Sequence, residues 1–360
     1  MFKYATMITK RSIICLLVIV FLCVPVCAAE NQKPNIVIIA TGGTIAGLGS
    51  SSVNVSAYRS AVVAVDQLIA AVPEIKDIAN VKGEQIFQIG SESFNNERWL
   101  KLGKRVAELL ASEDVDGIVI THGTDTIEET GYFLNLTLKS NKPVIIVGSM
   151  RPGSAMSADG PLNIYNAVIV AADKNSAGKG VLVVMNDEIH SARDVTKTNS
   201  TKVETFRSPY GPLGVVIEGK PDYYRLLAKP HTTQTEFDIS EIETLPEVGV
   251  VFNHGNMSRV PYDAFVAAGF KAIIHDGTGN GSVADYIAPV LKELRSKGII
   301  IVRATRTGSG PVVRNGETND DELDYVVTGD QNAAKARILL SLALTKTTDT
   351  KELQNIFWKY

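Results

Sequence analysis

Short apolar, β-branched runs recur along the chain, and none of them alternates strictly. They are NIVIIAT (35–41), GIVITHGT (117–124), PVIIVGSM (143–150) and GVLVVMND (180–187), then VGVVFNHG (248–255), KAIIHDGTG (271–279) and GIIIVRATR (298–306). Continuous runs of this length suit strands buried on both faces. Helical patterns lie between them. In NNERWLKLGKRVAELLAS, Trp99, Leu102, Val106 and Leu109/Leu110 recur at three- and four-residue spacing, and Ile287, Leu291 and Leu294 do the same in SVADYIAPVLKELRSKG. Strand, helix, strand repeated predicts an α/β fold with mostly parallel sheets. Residues 221–246 hold no buried run and read as a linker, between a larger domain at 34–220 and a smaller one at 247–360.

The first 29 residues follow a different pattern. Lys3, Lys10 and Arg11 precede an apolar run from Ile13 to Val26, and Cys27-Ala28-Ala29 supplies small residues for cleavage. This reads as a secretory signal peptide, since the apolar run is short for a span of about 20 residues. A periplasmic or secreted protein is expected, with no membrane contact once the signal is removed. All 3 cysteines (Cys15, Cys23, Cys27) fall in that segment, so a chain cut after it has neither a disulfide nor a thiol nucleophile. The cut also takes three basic residues and no acidic ones, moving the formal charge from −3 to −6. No basic run survives to bind nucleic acid or an anionic membrane.

In a parallel sheet the site lies beyond the carboxyl ends of the strands, so the residues that terminate the apolar runs carry the chemistry. The first run ends in IATGGTIAGLGSSSVNVSAY (39–58). It fails as a phosphate loop, because no Lys-Ser/Thr follows the last glycine, and its spacing fails as a dinucleotide fingerprint. What remains is an ordinary connection, or Thr44 as a nucleophile beside main-chain N–H groups that hold an oxyanion. The second run ends in ITHGTDTIEET. Asp125 and Glu128 fit a helix capping box; alternatively Thr124 is a second hydroxyl beside a carboxylate. His122 is either a core histidine or a base. A threonine hydroxyl needs a base or a charged neighbour. No G-x-S-x-G elbow and no H-E-x-x-H is present, so a serine-type triad and a metal site are not expected. Lys197, in RDVTKTN, is either a solvated lysine or, desolvated beside Asp125, a proton acceptor. An exported binding protein for acidic or amide amino acids is the competing reading.

Taken in order, IATGGTIAG, QIGSES, ITHGTDTIEET, VGSMRP, SADGPLNIYNA, VLVVMND, RDVTKTN and KARILLSLAL resemble the bacterial L-asparaginase family over nearly the whole chain beyond residue 29. The signal segment favours its exported type II branch. The resemblance implies a larger flavodoxin-like N-terminal domain, a smaller C-terminal one, no cofactor, and hydrolysis of L-asparagine to L-aspartate and ammonia. It implies that Thr44 is the primary nucleophile, bonded by the lid residue Tyr58, and that Thr124, Asp125 and Lys197 form a second catalytic group. Gly43, Ser91, Glu92, Thr124 and Asp125 would bind substrate, Ser91 and Asp125 taking its α-carboxylate and α-amino groups. Ser282 and Glu317 match positions that the family contributes from a neighbouring subunit of a homotetramer. Glu92 and Ser282 stand where some members carry glutamine and asparagine, which implies a secondary L-glutaminase activity. Gly47 to Ser56 reads as a tether that lets the lid open and close.

Overall fold

All seven apolar runs form strands, and all seven are parallel to their strand neighbours within the runs. The computed structural model describes residues 32–360, and Lys33–Tyr360 forms one compact unit. The predicted signal segment lies outside the described residues.

In chain order the large sheet contains β1 (Asn35–Gly42), β2 (Asn80–Ile89), β3 (Gly117–Thr121), β4 (Val144–Val147), β5 (Val181–Met185), β6 (Glu188–Ser191), β7 (Gly214–Ile217) and β8 (Lys220–Tyr223). Their spatial order is β8-β7-β6-β5-β4-β3-β1-β2. β2, β1, β3, β4 and β5 run parallel, in the 2-1-3-4-5 order of a flavodoxin-like sheet. β6, β7 and β8 extend it antiparallel. In this order the chain reverses direction between β1 and β3, and a crevice opens above their carboxyl ends. Thr44 and Thr124 follow those two strands.

A second, all-parallel sheet contains β9 (Val248–Phe252), β10 (Ala272–Gly277), β11 (Ile300–Thr305) and β12 (Val326–Val327), in that order. One apolar cluster runs through both sheets, from Ile38 and Ile120 to Ile274 and Val302, by way of Leu339 and Leu340 in helix Ala333–Ala343. That helix packs against helix Ile127–Thr137 on one side and against β9 on the other. A separate cluster, with Tyr262, Ile273, Leu291 and Leu294, fills the other face of the small sheet. The predicted amphipathic helices occur as Asn96–Ala111 and Ala288–Ser296, with Trp99, Leu102, Val106 and Leu291 buried.

The large sheet holds strands that the apolar runs do not announce. β2 is an edge strand with alternate residues half-buried, so Lys82, Glu84 and Gln85 break its apolar signature. β6 to β8 are short and partly exposed, and the last of them includes residues 221–223 of the stretch read as linker. Beyond it, residues up to Pro246 carry only the short turns Thr232–Gln234 and Ile239–Glu241.

One charged pair sits wholly inside. Arg303 donates to Asp320 through Nε at 2.6 Å and Nη2 at 2.7 Å, and both side chains are fully buried. Its Nη1 also donates to the carbonyls of Asn280 at 3.1 Å and Gly281 at 2.8 Å. The pair therefore ties the turn before Ser282 to the segment after Glu317. Ser282 Oγ in turn donates to Glu317 Oε2 at 2.6 Å.

Candidate active site

β1 ends in two glycines because nothing larger fits. Gly42 and Gly43 have φ of 115° and 81°, the left-handed side that β-carbons disfavour. A Cβ on Gly43 would lie 2.3 Å from Gly123 Cα, and one on Gly123 would lie 2.6 Å from Ser91 Oγ. The turns after β1, β3 and β2 thus meet backbone to backbone. Gly43 spends its N–H on the Ile89 carbonyl at 2.9 Å, and its own carbonyl accepts from Ala46 and Ala61. What Gly43 supplies is therefore the turn and the close approach. The N–H groups of Thr44 and Thr124, by contrast, donate to no acceptor among the described residues.

Thr44 opens a short 3-10 turn, Thr44–Ala46, and is buried. Its Oγ1 lies 2.7 Å from the Tyr58 hydroxyl. Tyr58 arrives on a two-residue ribbon, Leu48–Gly49 against Tyr58–Arg59, and its ring lies close over Gly47. The tether between the two strands is exposed but docked. Gly49 N–H donates to Ser154 Oγ at 2.7 Å, and Met156 N–H donates to the Ser52 carbonyl at 2.9 Å.

Across the crevice, Thr124 is buried and its Oγ1 accepts from Lys197 Nζ at 2.9 Å. The same ammonium donates to Asp125 Oδ1 at 2.6 Å. Asp125 is exposed and Lys197 mostly covered, so the pair sits at the mouth of the crevice with its cation inward. Ser91 is buried in the turn after β2, and its carbonyl accepts from Thr126 Oγ1 at 2.9 Å. The Glu92 carboxylate folds back over Gly90 and faces solvent. The structure thus brings together Thr44 with Tyr58, and Thr124 with Asp125 and Lys197, while Ser91 abuts Gly123. Ser282 and Glu317 pair with each other, and no hydrogen bond joins them to these groups.

The structure decides two alternatives that the sequence left open. Asp125 and Glu128 form no capping box: helix Ile127–Thr137 starts with Thr126 at its N-cap and has no side-chain cap. Glu128 instead reaches Thr196 and Lys197, 68 and 69 residues away. His122 is no base. It is fully buried, with Nδ1 2.7 Å from the Gly123 carbonyl and Nε2 3.0 Å from Thr130 Oγ1, which accepts from Trp99 Nε1 at 2.9 Å. Burial pushes its pKa down to about 4, and that of His275 likewise to about 4, so both rings are neutral in the native state.

That neutrality fixes a pH dependence. Between the ordinary histidine value of 6.5 and about 4, the unfolded chain binds protons that these native rings refuse. Stability is therefore fully present above pH 6.5 and is lost as pH falls through that window. Each ring contributes a slope of up to about 1.4 kcal/mol per pH unit there. Urea unfolding at a series of pH values is expected to show a slope shallower by up to one proton in His275→Gln than in the parent. Equal slopes would refute it.

Residues 35–229 match the family model for the asparaginase N-terminal domain, and residues 247–357 match that for the glutaminase/asparaginase C-terminal domain. The chain belongs to the asparaginase family. It is 59% identical over 332 residues to the glutaminase-asparaginase of Pseudomonas fluorescens biotype A, covering 92% of each chain. It is 50% identical to L-asparaginase 2 of Escherichia coli strain K12, covering 92% of this chain and 95% of that one. Among solved structures, the probable cytoplasmic L-asparaginase of Campylobacter jejuni superposes with a TM-score of 0.88 at 46% identity, covering 91% of this chain and all of that one. Membership of the asparaginase family makes sense of a crevice built from two threonine-bearing strand ends and a lysine. Neutral core histidines then need no catalytic part.

Proposed function

We propose that this chain hydrolyses the side-chain amide of L-asparagine to L-aspartate and ammonia, with L-glutamine as a second substrate. The observation that carries this reading is the pairing of two threonine hydroxyls at neighbouring strand ends, one with a tyrosine and the other with a lysine–aspartate pair. Thr44 Oγ1 attacks the amide carbon, and its proton passes through Tyr58 or the Lys197 group to the departing nitrogen. Ammonia leaves, water attacks the acyl-threonine, and aspartate is released with Thr44 restored. Thr124 and Lys197 orient the attacking oxygen, and the free N–H groups of Thr44 and Thr124 face the developing oxyanion. Donors of that kind are worth about 3–4 kcal/mol each in other hydrolases.

Asp125 offers a carboxylate to the substrate's ammonium, and Ser91 a hydroxyl to its α-carboxylate. Glu92 sits at the same mouth. Ser282 and Glu317 would complete the pocket of a neighbouring copy within a homotetramer. We further read 34–220 together with the rest of β8 as the catalytic domain, the remainder of 221–246 as a linker and 247–360 as the second domain, in a protein exported to the periplasm by its first 29 residues. A receptor that only bound amino acids would need neither paired hydroxyl. The test is ammonia release from both amides side by side. Turnover of asparagine with a lower but measurable kcat/KM for glutamine is expected. Binding of asparagine without ammonia would overturn the proposal.

A further inference from the structure

The Glu128 carboxylate is engaged on both oxygens by groups from two segments far apart in the chain. Oε2 accepts from the Thr196 hydroxyl and, at 2.9 Å, from the Lys197 backbone N–H. Oε1 accepts from Asn332 Nδ2 at 2.9 Å. Asn332 is itself fixed, because its Oδ1 caps helix Ala333–Ala343 by accepting from Lys335 N–H at 2.9 Å. The next residue, Glu129, is clamped to the same helix by Arg337 Nη2 at 3.0 Å. Two successive glutamates of one helix therefore dock on the first turns of another, and one of them holds the two-residue strand Thr196–Lys197. Among the described residues that strand has only Phe206–Arg207 as its sheet partner, so little else in the sheets fixes it.

The cluster is not a second binding site. The cavity against Thr196, Asn332 and Lys335 is about 20 Å³, room for about one water. What the cluster does hold is charge: burial pushes Lys335 down to about 8, and the charge of Glu128 opposes that more strongly than any other neighbour's.

We propose that Glu128, anchored by Asn332, is a positioning residue for the reaction: it fixes the Lys197 backbone so that Nζ meets Thr124 Oγ1 and Asp125 together. This rests on the catalytic reading of Lys197. Thr124 and Asp125 lie on the turn that leads into Glu128's own helix. One rigid helix start therefore carries both the groups that Lys197 must reach and the carboxylate that places it. In a glutamine at 128, the amide nitrogen would face the Asn332 amide, whose oxygen is already spent on the helix cap, so one anchor is lost.

The test measures kcat and KM for asparagine in Glu128→Gln, Asn332→Ala and Lys197→Met, and in Glu128→Gln combined with Lys197→Met. Thermal midpoint and oligomeric state control for folding. Glu128→Gln is expected to lower kcat about 30-fold with KM within about threefold, the mark of an interaction that matters in the transition state. Asn332→Ala, which loosens the anchor and removes the cap of helix Ala333–Ala343 but leaves the start of helix Ile127–Thr137 untouched, is expected to lower kcat about fivefold and to lower the thermal midpoint only modestly, which keeps the test open if Glu128→Gln folds poorly. In the Lys197→Met background, Glu128→Gln is expected to cost less than about threefold more, because groups acting through one another are not additive. A folded Glu128→Gln or Asn332→Ala with parental kcat overturns the proposal, as does an undiminished Glu128→Gln loss in the Lys197→Met background. Parental kcat in Lys197→Met alone would instead overturn the catalytic reading beneath it.

Discussion

Thr44→Ala is expected to lower asparagine turnover by about 10⁴-fold, with a much smaller change in KM, because it deletes the attacking atom rather than a binding contact. That loss corresponds to about 5.5 kcal/mol of transition-state stabilisation. The geometry argues for an effect of this size. Thr44 is buried at a turn set by glycine conformations, and its Oγ1 has the Tyr58 hydroxyl at 2.7 Å as its one hydrogen-bond partner among the described residues. Thr44→Ser keeps the oxygen but adds rotamer freedom that β-branching had removed. It should retain activity to within about 30-fold of the parent, a few kcal/mol short of the alanine loss. Steady-state ammonia release measures both. A Thr44→Ala protein working at more than a tenth of the parental rate would move the attack to Thr124 or to water.

Lys197→Met should follow with a loss of about 10³-fold in kcat, within the range that positioned proton-transfer groups contribute. The Lys197 ammonium is the hydrogen-bond donor to Thr124 Oγ1 and to Asp125 Oδ1, at 2.9 and 2.6 Å. Methionine keeps the stem and removes both bonds. The strand is held through the Lys197 backbone N–H, so the fold should survive and the thermal midpoint should hardly move. Lys197→Arg keeps the charge but spreads it over a planar fork that cannot place one nitrogen between the two oxygens, so little activity should return. If kcat in Lys197→Met stays within tenfold of the parent, the second catalytic group has been misassigned.

The fold was legible wherever burial was complete. Strands shielded on both faces leave unbroken apolar runs, and β9 keeps one although Phe252 at its end is exposed, whereas β2 lies at an edge and mixes Lys82, Glu84 and Gln85 into its pattern. β6 to β8 are short hairpin-like additions in which no apolar run is longer than the three residues Val215–Ile217, and Glu188, Lys220 and Asp222 interrupt the rest. The site was legible in a different sense. Hydroxyl, carboxylate and lysine could be named as candidates from their place after strand ends, but periodicity could not join Thr124 to Lys197, 73 residues on. Family resemblance supplied that pairing. Glu128 shows the limit of local reading. Asp-x-x-Glu before an apolar run is a cap by pattern, yet the carboxylate reached a strand and a helix far along the chain. No spacing rule would have selected Asn332, since a helix N-cap asparagine is commonplace.

The contact between Gly43 and Gly123 has a consequence for how such proteins diverge. Two turns that touch through bare backbone have no side chain to trim or enlarge between them, so the separation of their hydroxyls is a constant of the sheet. Change is accommodated elsewhere, at exposed positions such as Glu92 and Glu317, whose side chains take no part in that contact. The backbone contact is thus a fixed point of this chain, which is similar both to a relative named L-asparaginase 2 and to one named glutaminase-asparaginase.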